Sequence, residues 1–334
     1  MVPSAAMEPV AAVGSTIGLP RGRPGMKKGP KTALVRAAMT RNEQTMLTNT
    51  FSYIIITPVR NEEKYVEKTL RAVTAQTVTP LQWIVVDDGS TDRTGKIIDQ
   101  WAGRYDWITP LHLPDRGYTA VGRGIIDAFY AGYGRIARPD SWRFLVKLDG
   151  DVSLDADYFA RLLARFRDDS KLGIAGGTCF CLSEGMLHEE KTPSFHPIAA
   201  ARMYRRDCFE EIGGLAFSNA WDTIDLLRAR TRGWRTRRFE DLRVFHYRIM
   251  SSRQGLWRGK LRTGRNLYLT GYSVPFLLAR SLYRLFRKPY IVESAGVICG
   301  YFMAMLRGEP LAVTSEELEF LRREQRQRLL GFNR

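Results

Sequence analysis

The segment "FLVKLDGDVSL", residues 144–154, runs from strand-forming residues into two aspartates, Asp149 and Asp151, one glycine apart. Carboxylates at i and i+2 can project to the same side and share one divalent cation; the competing reading is a solvated turn. A second acidic pair, Asp87 and Asp88, closes "WIVVDD", where the following Gly89 and Ser90 offer ordinary turn chemistry as the alternative. A third polar segment, "TPVRNE", places Thr57, Pro58 and Glu62 behind the apolar run "YIIIT".

The elements that must hold these residues alternate regularly. "YIIIT" and "WIVV" read as short buried strands, and "RFLVKL" is the strand that feeds Asp149. Asn61 is positioned to cap a helix whose apolar stripe is Val66, Leu70 and Val73, with Glu62 and Glu63 near its positive end. Further helical stripes are Ile97, Ile98 and Trp101; then Ile125, Ile126 and Phe129; then Phe159, Leu162, Leu163 and Phe166, ahead of "LGIAGG". Such alternation implies an α/β chain with a mostly parallel sheet flanked by helices. Ligands of such sheets bind beyond the carboxyl ends of the strands, where all four aspartates fall, and this favours a binding site over a solvated turn.

Composition narrows the class. The chain has 334 residues, 44% hydrophobic and 26% charged, and reads as globular. Four cysteines are too few for a disulfide scaffold; Cys179-x-Cys181 lacks a second cysteine pair at finger spacing, so both are expected as buried thiols rather than zinc ligands. The net charge of +16 is unevenly placed. Residues 1–50 carry seven basic and two acidic groups, residues 251–334 fifteen and six, and the intervening stretch 29 and 27. A nearly neutral centre argues against a nucleic-acid groove, so no nucleic-acid partner is expected; basic flanks fit an anionic membrane surface. Residues 1–48 show no apolar periodicity and read as a disordered basic tail.

The ordered set "TPVRNE", "VVDDGSTD" and "DGD" resembles the family 2 glycosyltransferases, over roughly residues 52–250. The resemblance implies the GT-A fold for a catalytic domain spanning 49–250, a nucleotide-sugar donor, and Mg²⁺ or Mn²⁺ as cofactor. Asp151 would ligate the cation, and Asp149 the ribose or the cation's water shell, with Gly150 allowing close approach to the nucleotide. Asp88 would accept a hydrogen bond from the base with Asp87 beside it, and Thr57, Pro58 and Glu62 would line the nucleotide pocket. His246 in "RVFHYR" would be an additional metal ligand, while Lys147, Arg116 and Arg123 are weaker diphosphate candidates. A bare cation would stabilise the growing charge of the departing diphosphate, and carboxylates are suitably hard ligands for it.

An inverting transferase also needs a base for the acceptor hydroxyl. The family places an aspartate of a Glu-Asp pair there; here "NAWDTIDLLRARTRGW" offers Asp222, with Trp221 in the glutamate's place and Asp225 as a competitor. The implied activity is transfer of a single sugar with inversion in cell-envelope polysaccharide or glycolipid assembly. "QGLWR" does not match the Gln-x-x-Arg-Trp motif of processive synthases. Two alternatives stay open. A nucleotidyltransferase would share the carboxylate-bound metal but calls for a glycine-rich triphosphate loop that "TPVRNEEKY" lacks. An inactive GT-A scaffold binding membrane or nucleic acid would not need all the aspartates.

Residues 251–334 alternate apolar clusters with Arg and Lys and read as a basic amphipathic helical region at a bilayer interface. "YIVESAGVICGYFMAML" has 17 residues and is marginal for crossing about 30 Å of hydrocarbon. Packing against the catalytic domain is the alternative. A lipid-linked or other saccharide acceptor, reached from the cytoplasmic face of the plasma membrane, would suit this arrangement.

Overall fold

A computed structural model describes residues 51–117, 122–183, 186–247, 256–285 and 290–331. The expected tail, the expected junction near residue 250 and residues 118–121 lie outside the described residues.

The expected alternation is present. β1 (Tyr53–Val59), α1 (Val66–Thr74), β2 (Gln82–Asp87), α2 (Thr94–Ala102), β3 (Ile108–His112), α3 (Arg123–Tyr133) and β4 (Phe144–Leu148) form a run of parallel crossovers. Then come β5 (Val152–Leu154), α4 (Tyr158–Asp168), β6 (Leu172–Ser183), β7 (Met186–Glu189), β8 (Ala201–Arg205), α5 (Arg206–Glu211), α6 (Trp221–Thr231) and β9 (Arg235–His246). The nine strands make one sheet ordered β3-β2-β1-β4-β8-β6-β9-β5, with β7 on β6.

The sheet is uniformly parallel only in its first half. β4 pairs antiparallel with β8, β8 with β6, β6 with β7 and β5 with β9, while β6 and β9 are parallel. Apolar runs identify buried strands but carry no direction, so this reversal was not readable from periodicity. Two cores cover the faces: one packs α1, α2 and α4 residues such as Leu70, Ile98 and Phe159 on Trp83 and Val146, the other packs Ile126, Phe129, Phe209 and Trp221 on Ile56 and Ile84.

Asn61 does not cap α1. It sits at φ 54°, and its side-chain oxygen accepts from Thr91 N–H at 2.9 Å, while Arg93 N–H donates to Glu63 Oε2 at 3.1 Å. The residues expected to start a helix instead tie the β1 loop to the β2 loop, which fixes the floor of the strand-end region.

The C-terminal region is helical: α7 (Leu256–Leu269), α8 (Val274–Leu285), α9 (Tyr290–Leu306) and α10 (Ser315–Leu329). α7 and α9 approach backbone to backbone. A Cβ at Gly264 would strike the Val297 carbonyl, and one at Gly300 the Leu261 carbonyl, so both positions require glycine. α10 begins at a capping box, with Thr314 Oγ1 accepting from Glu317 N–H at 3.2 Å and Glu317 Oε2 accepting from Thr314 N–H at 2.9 Å. It docks on α6 through Arg230–Glu324 at 2.6 Å and Arg228–Glu317 at 3.4 Å. Among the described residues no helix is long and apolar enough to cross a membrane.

Candidate active site

β4 ends at Leu148, so Asp149, Gly150 and Asp151 form the connection to β5 at the strand ends. Asp151 is buried, and its backbone carbonyl accepts from Tyr247 N–H at 3.0 Å. That bond continues the β5–β9 ladder, in which Val152 faces His246, and it brings His246 Nε2 to 3.1 Å from Asp151 Oδ1. Burial acts to lower the pKa of His246; the Asp151 hydrogen bond, Cys181 and the Asp151 and Asp149 charges overcome it and push it up to about 10. One donor atom from each of Asp149, Asp151 and His246 lies within 4.8 Å of the others. Two carboxylates and an imidazole at that spacing fit a hard divalent cation such as Mg²⁺ or Mn²⁺.

Lys147 is fully buried on β4, its ammonium against Asp149 Oδ1, 3.4 Å from the Ala199 carbonyl and 5.2 Å from the centre of the Trp221 ring. Gly150 has a reason other than nucleotide approach: a Cβ there would collide with Val59, so β1 packing demands glycine whatever binds outside.

The β1 and β2 loops supply the adjacent wall. Asp88 meets the Arg116 guanidinium, and its backbone carbonyl accepts from Arg60, which also pairs with Asp115 at 2.6 Å. Burial holds the Asp88 carboxyl above its usual range, with Arg116 and Arg60 opposing it. Arg116, a diphosphate candidate from the sequence, is thus engaged with Asp88, and Arg123 is exposed at the start of α3. Asp87 accepts from Ser90 N–H at 2.9 Å and lies 3.1 Å from His112 Nδ1, the turn chemistry weighed above. Thr57 turns its hydroxyl into the core, accepting from Trp83 Nε1–H at 2.9 Å, while Pro58 pairs with Val86 at the end of β1. Glu62 is buried, its N–H donating to Thr94 Oγ1 at 2.7 Å.

Asp222 and Asp225 open α6 in opposite environments. Asp225 is fully buried in an ion pair with Arg202, at 2.8 and 2.7 Å from one guanidinium nitrogen, and it also accepts from Tyr204 OH at 2.5 Å and Leu226 N–H at 2.7 Å. Asp222 is half-buried on the Lys147 side, and its backbone carbonyl, rather than its carboxylate, accepts from Arg202 at 2.9 Å. Burial raises the Asp222 pKa, Asp225 adds to the rise, and Arg202 and Lys147 oppose it.

Glu190 directly follows β7, which pairs with β6: burial and Cys181 push its carboxyl up to about 7, and His246 and Asp222 act on it electrostatically. Only the strand register could have revealed this.

Comparison with solved structures places the architecture. The mannosyltransferase PcManGT of Pyrobaculum calidifontis, solved with GDP-Man and Mn²⁺, superposes with a TM-score of 0.53 at 15% identity, covering 77% of this chain and 88% of that one. GalNAc-T7, solved with UDP, GalNAc and Mn²⁺, also gives 0.53 at 13% identity, over 83% and 54% of the two chains. The fold is GT-A. Residues 54–213 match the glycosyl transferase family 2 model, the family that the sequence motifs resemble. Relatives include glycosyltransferase GlyA of Streptococcus pneumoniae, 24% identical over 57% of this chain and 25% of that protein. Glycosyltransferase AglE of Haloferax volcanii is 29% identical over 45% and 47% of the two chains. The matches thus span a quarter to a half of these curated relatives.

Proposed function

We propose that this chain transfers a single sugar from a nucleotide-sugar donor to an acceptor hydroxyl, with inversion and with a divalent cation. The observation that carries the reading is the convergence of Asp149, Asp151 and His246 on one donor cluster, with Asp222 and Lys147 beside it. Solved GT-A neighbours that hold GDP-Man or UDP with Mn²⁺ support a nucleoside diphosphate sugar as donor.

Bound between the two aspartates and His246, Mg²⁺ or Mn²⁺ would neutralise charge on the departing diphosphate. Asp88 holds the nucleoside base, steadied by Arg116 and Arg60, and Asp87 fixes the turn that presents it. Thr57, Pro58 and Glu62 form the pocket wall through their backbone and packing. Lys147 keeps Asp149 oriented from below. Asp222, with its pKa raised by burial, takes the proton from the acceptor hydroxyl as that oxygen attacks the anomeric carbon from the face opposite the diphosphate. Asp225 acts through Arg202 to hold α6 in place.

The acceptor reading is a lipid-linked saccharide of the cell envelope, met at the cytoplasmic face of the plasma membrane. Its support is the basic C-terminal region together with Leu278, Leu282 and Tyr283 of α8, which are 48%, 59% and 62% exposed on one basic, amphipathic helix.

The test is calorimetry of a nucleotide-sugar panel with and without Mn²⁺, on wild type and Asp151→Asn. Cation-dependent binding of a donor, weakened in the variant, is expected. Folded protein that binds no nucleotide sugar under either condition would overturn the reading.

A further inference from the structure

We propose that Cys179, Cys181 and His246, closed by Glu190, form a binding site for a thiophilic divalent cation of the Zn²⁺ class. Three adjacent strands build it. Cys179 and Cys181 are two residues apart on β6 and therefore share a face. Cys181 is directly opposite His246 on parallel β9, and Cys179 is held to Glu190 by the Glu190 N–H to Cys179 carbonyl bond of 2.9 Å at the end of β7. Residues opposite one another in neighbouring strands point the same way, so two sulfurs and one imidazole face a common point, with Glu190 next to Cys179. The Cys179, Cys181 and His246 donor atoms all lie within 4.8 Å of one another, and neither cysteine is in a disulfide.

One orphaned atom marks the spot. Glu190 Oε2 is buried without a hydrogen-bond partner, while His246 has Cys181 as a polar neighbour besides Asp151. A cation would satisfy the Glu190 oxygen. With a cation at the sulfurs, the imidazole keeps its proton on Nε2 toward Asp151 and gives Nδ1 to that cation, so His246 serves either this site or the carboxylate centre at one time. At zinc bond lengths of about 2.3 Å to sulfur and about 2.0 Å to nitrogen, tetrahedral donors stand about 3.5–4 Å apart, so a small contraction closes the site. This donor set differs in kind from the carboxylate centre: sulfur and imidazole select Zn²⁺ over Mg²⁺. The site does not depend on the sugar-transfer reading, because neither its ligands' placement nor its test involves a nucleotide sugar.

The experiment is a Co²⁺ titration of cation-free protein, followed by near-ultraviolet sulfur-to-cobalt charge transfer. A band saturating at one Co²⁺ per chain is expected, bleached by Zn²⁺ and untouched by excess Mg²⁺. The band should vanish in Cys179→Ser/Cys181→Ser, whose circular dichroism should match wild type. It should persist in Asp151→Asn with affinity about 10–100-fold weaker, as expected for loss of an outer partner. Folded wild type with no thiolate band overturns the proposal. So does a band that survives in the double variant, since that assigns it to Cys208 or Cys299.

Discussion

Replacing Asp222 and Asp225 one at a time tests the proposed division between a proton acceptor and a structural anchor. Asp225→Asn keeps the shape of the side chain but leaves the buried Arg202 guanidinium without its counter-charge, with only the Asp222 and Pro197 carbonyls as partners. Breaking a buried pair by removing one charge costs about 3–5 kcal/mol. At about 2–4 °C per kcal/mol for a domain of this size, the melting temperature falls on the order of 10 °C. Asp222→Asn should do the reverse. A carboxyl whose pKa is raised by folding is ionised at a penalty in the native state. The native state therefore loses stability as pH climbs from the unfolded value through the folded one, and at neutral pH the amide relieves that loss. Asp222→Asn is expected to melt at or above wild type while turnover drops about 10²–10⁴-fold, the usual contribution of a general base. Scanning calorimetry and a coupled assay for released nucleoside diphosphate read the two effects. An Asp222→Asn protein with wild-type turnover, or an Asp225→Asn protein that melts normally yet is inactive, would refute the assignment.

Other expectations follow from single contacts. Gly300→Ala pushes a methyl group into the Leu261 carbonyl and should cost at least the ~1–3 kcal/mol of an overpacked core, seen as a lower melting temperature; an unchanged melt would mean α7 and α9 do not pack so closely. Burial, aided by Arg202, lowers the pKa of His196 to about 3. Between that value and about 6.5 the unfolded chain binds the extra proton, so stability falls as pH drops through this window. His196→Gln should flatten that acid limb in urea titrations at pH 4 and 7, and an identical pH dependence in both proteins would count against it. The chain should sediment with anionic but not neutral vesicles, and Leu278→Asp/Leu282→Asp should release it; equal binding to both vesicle types would remove the electrostatic docking.

What the sequence disclosed was local. Asp149 and Asp151 lie two residues apart, Asp87 and Asp88 are adjacent, and each pair follows an apolar run that reads as a buried strand, so motif and position were legible together. What it withheld depends on which strands become neighbours. Nothing in "TCFCLS" points to His246, because their encounter is created by the β6–β9 ladder and its register, and the β6–β7 pairing likewise brings Glu190 to Cys179. The choice between Asp222 and Asp225 was closed for the same reason. Both lie on α6, whose buried residues leave no clear polar stripe, and the partner that separates them is Arg202 on β8, a strand whose reversed direction the apolar pattern did not encode. Arg202 is what separates them: one guanidinium nitrogen ties Asp225 down through its carboxylate and Asp222 only through its backbone, so the proposed base keeps an unclaimed carboxylate at a fixed place beside this pair.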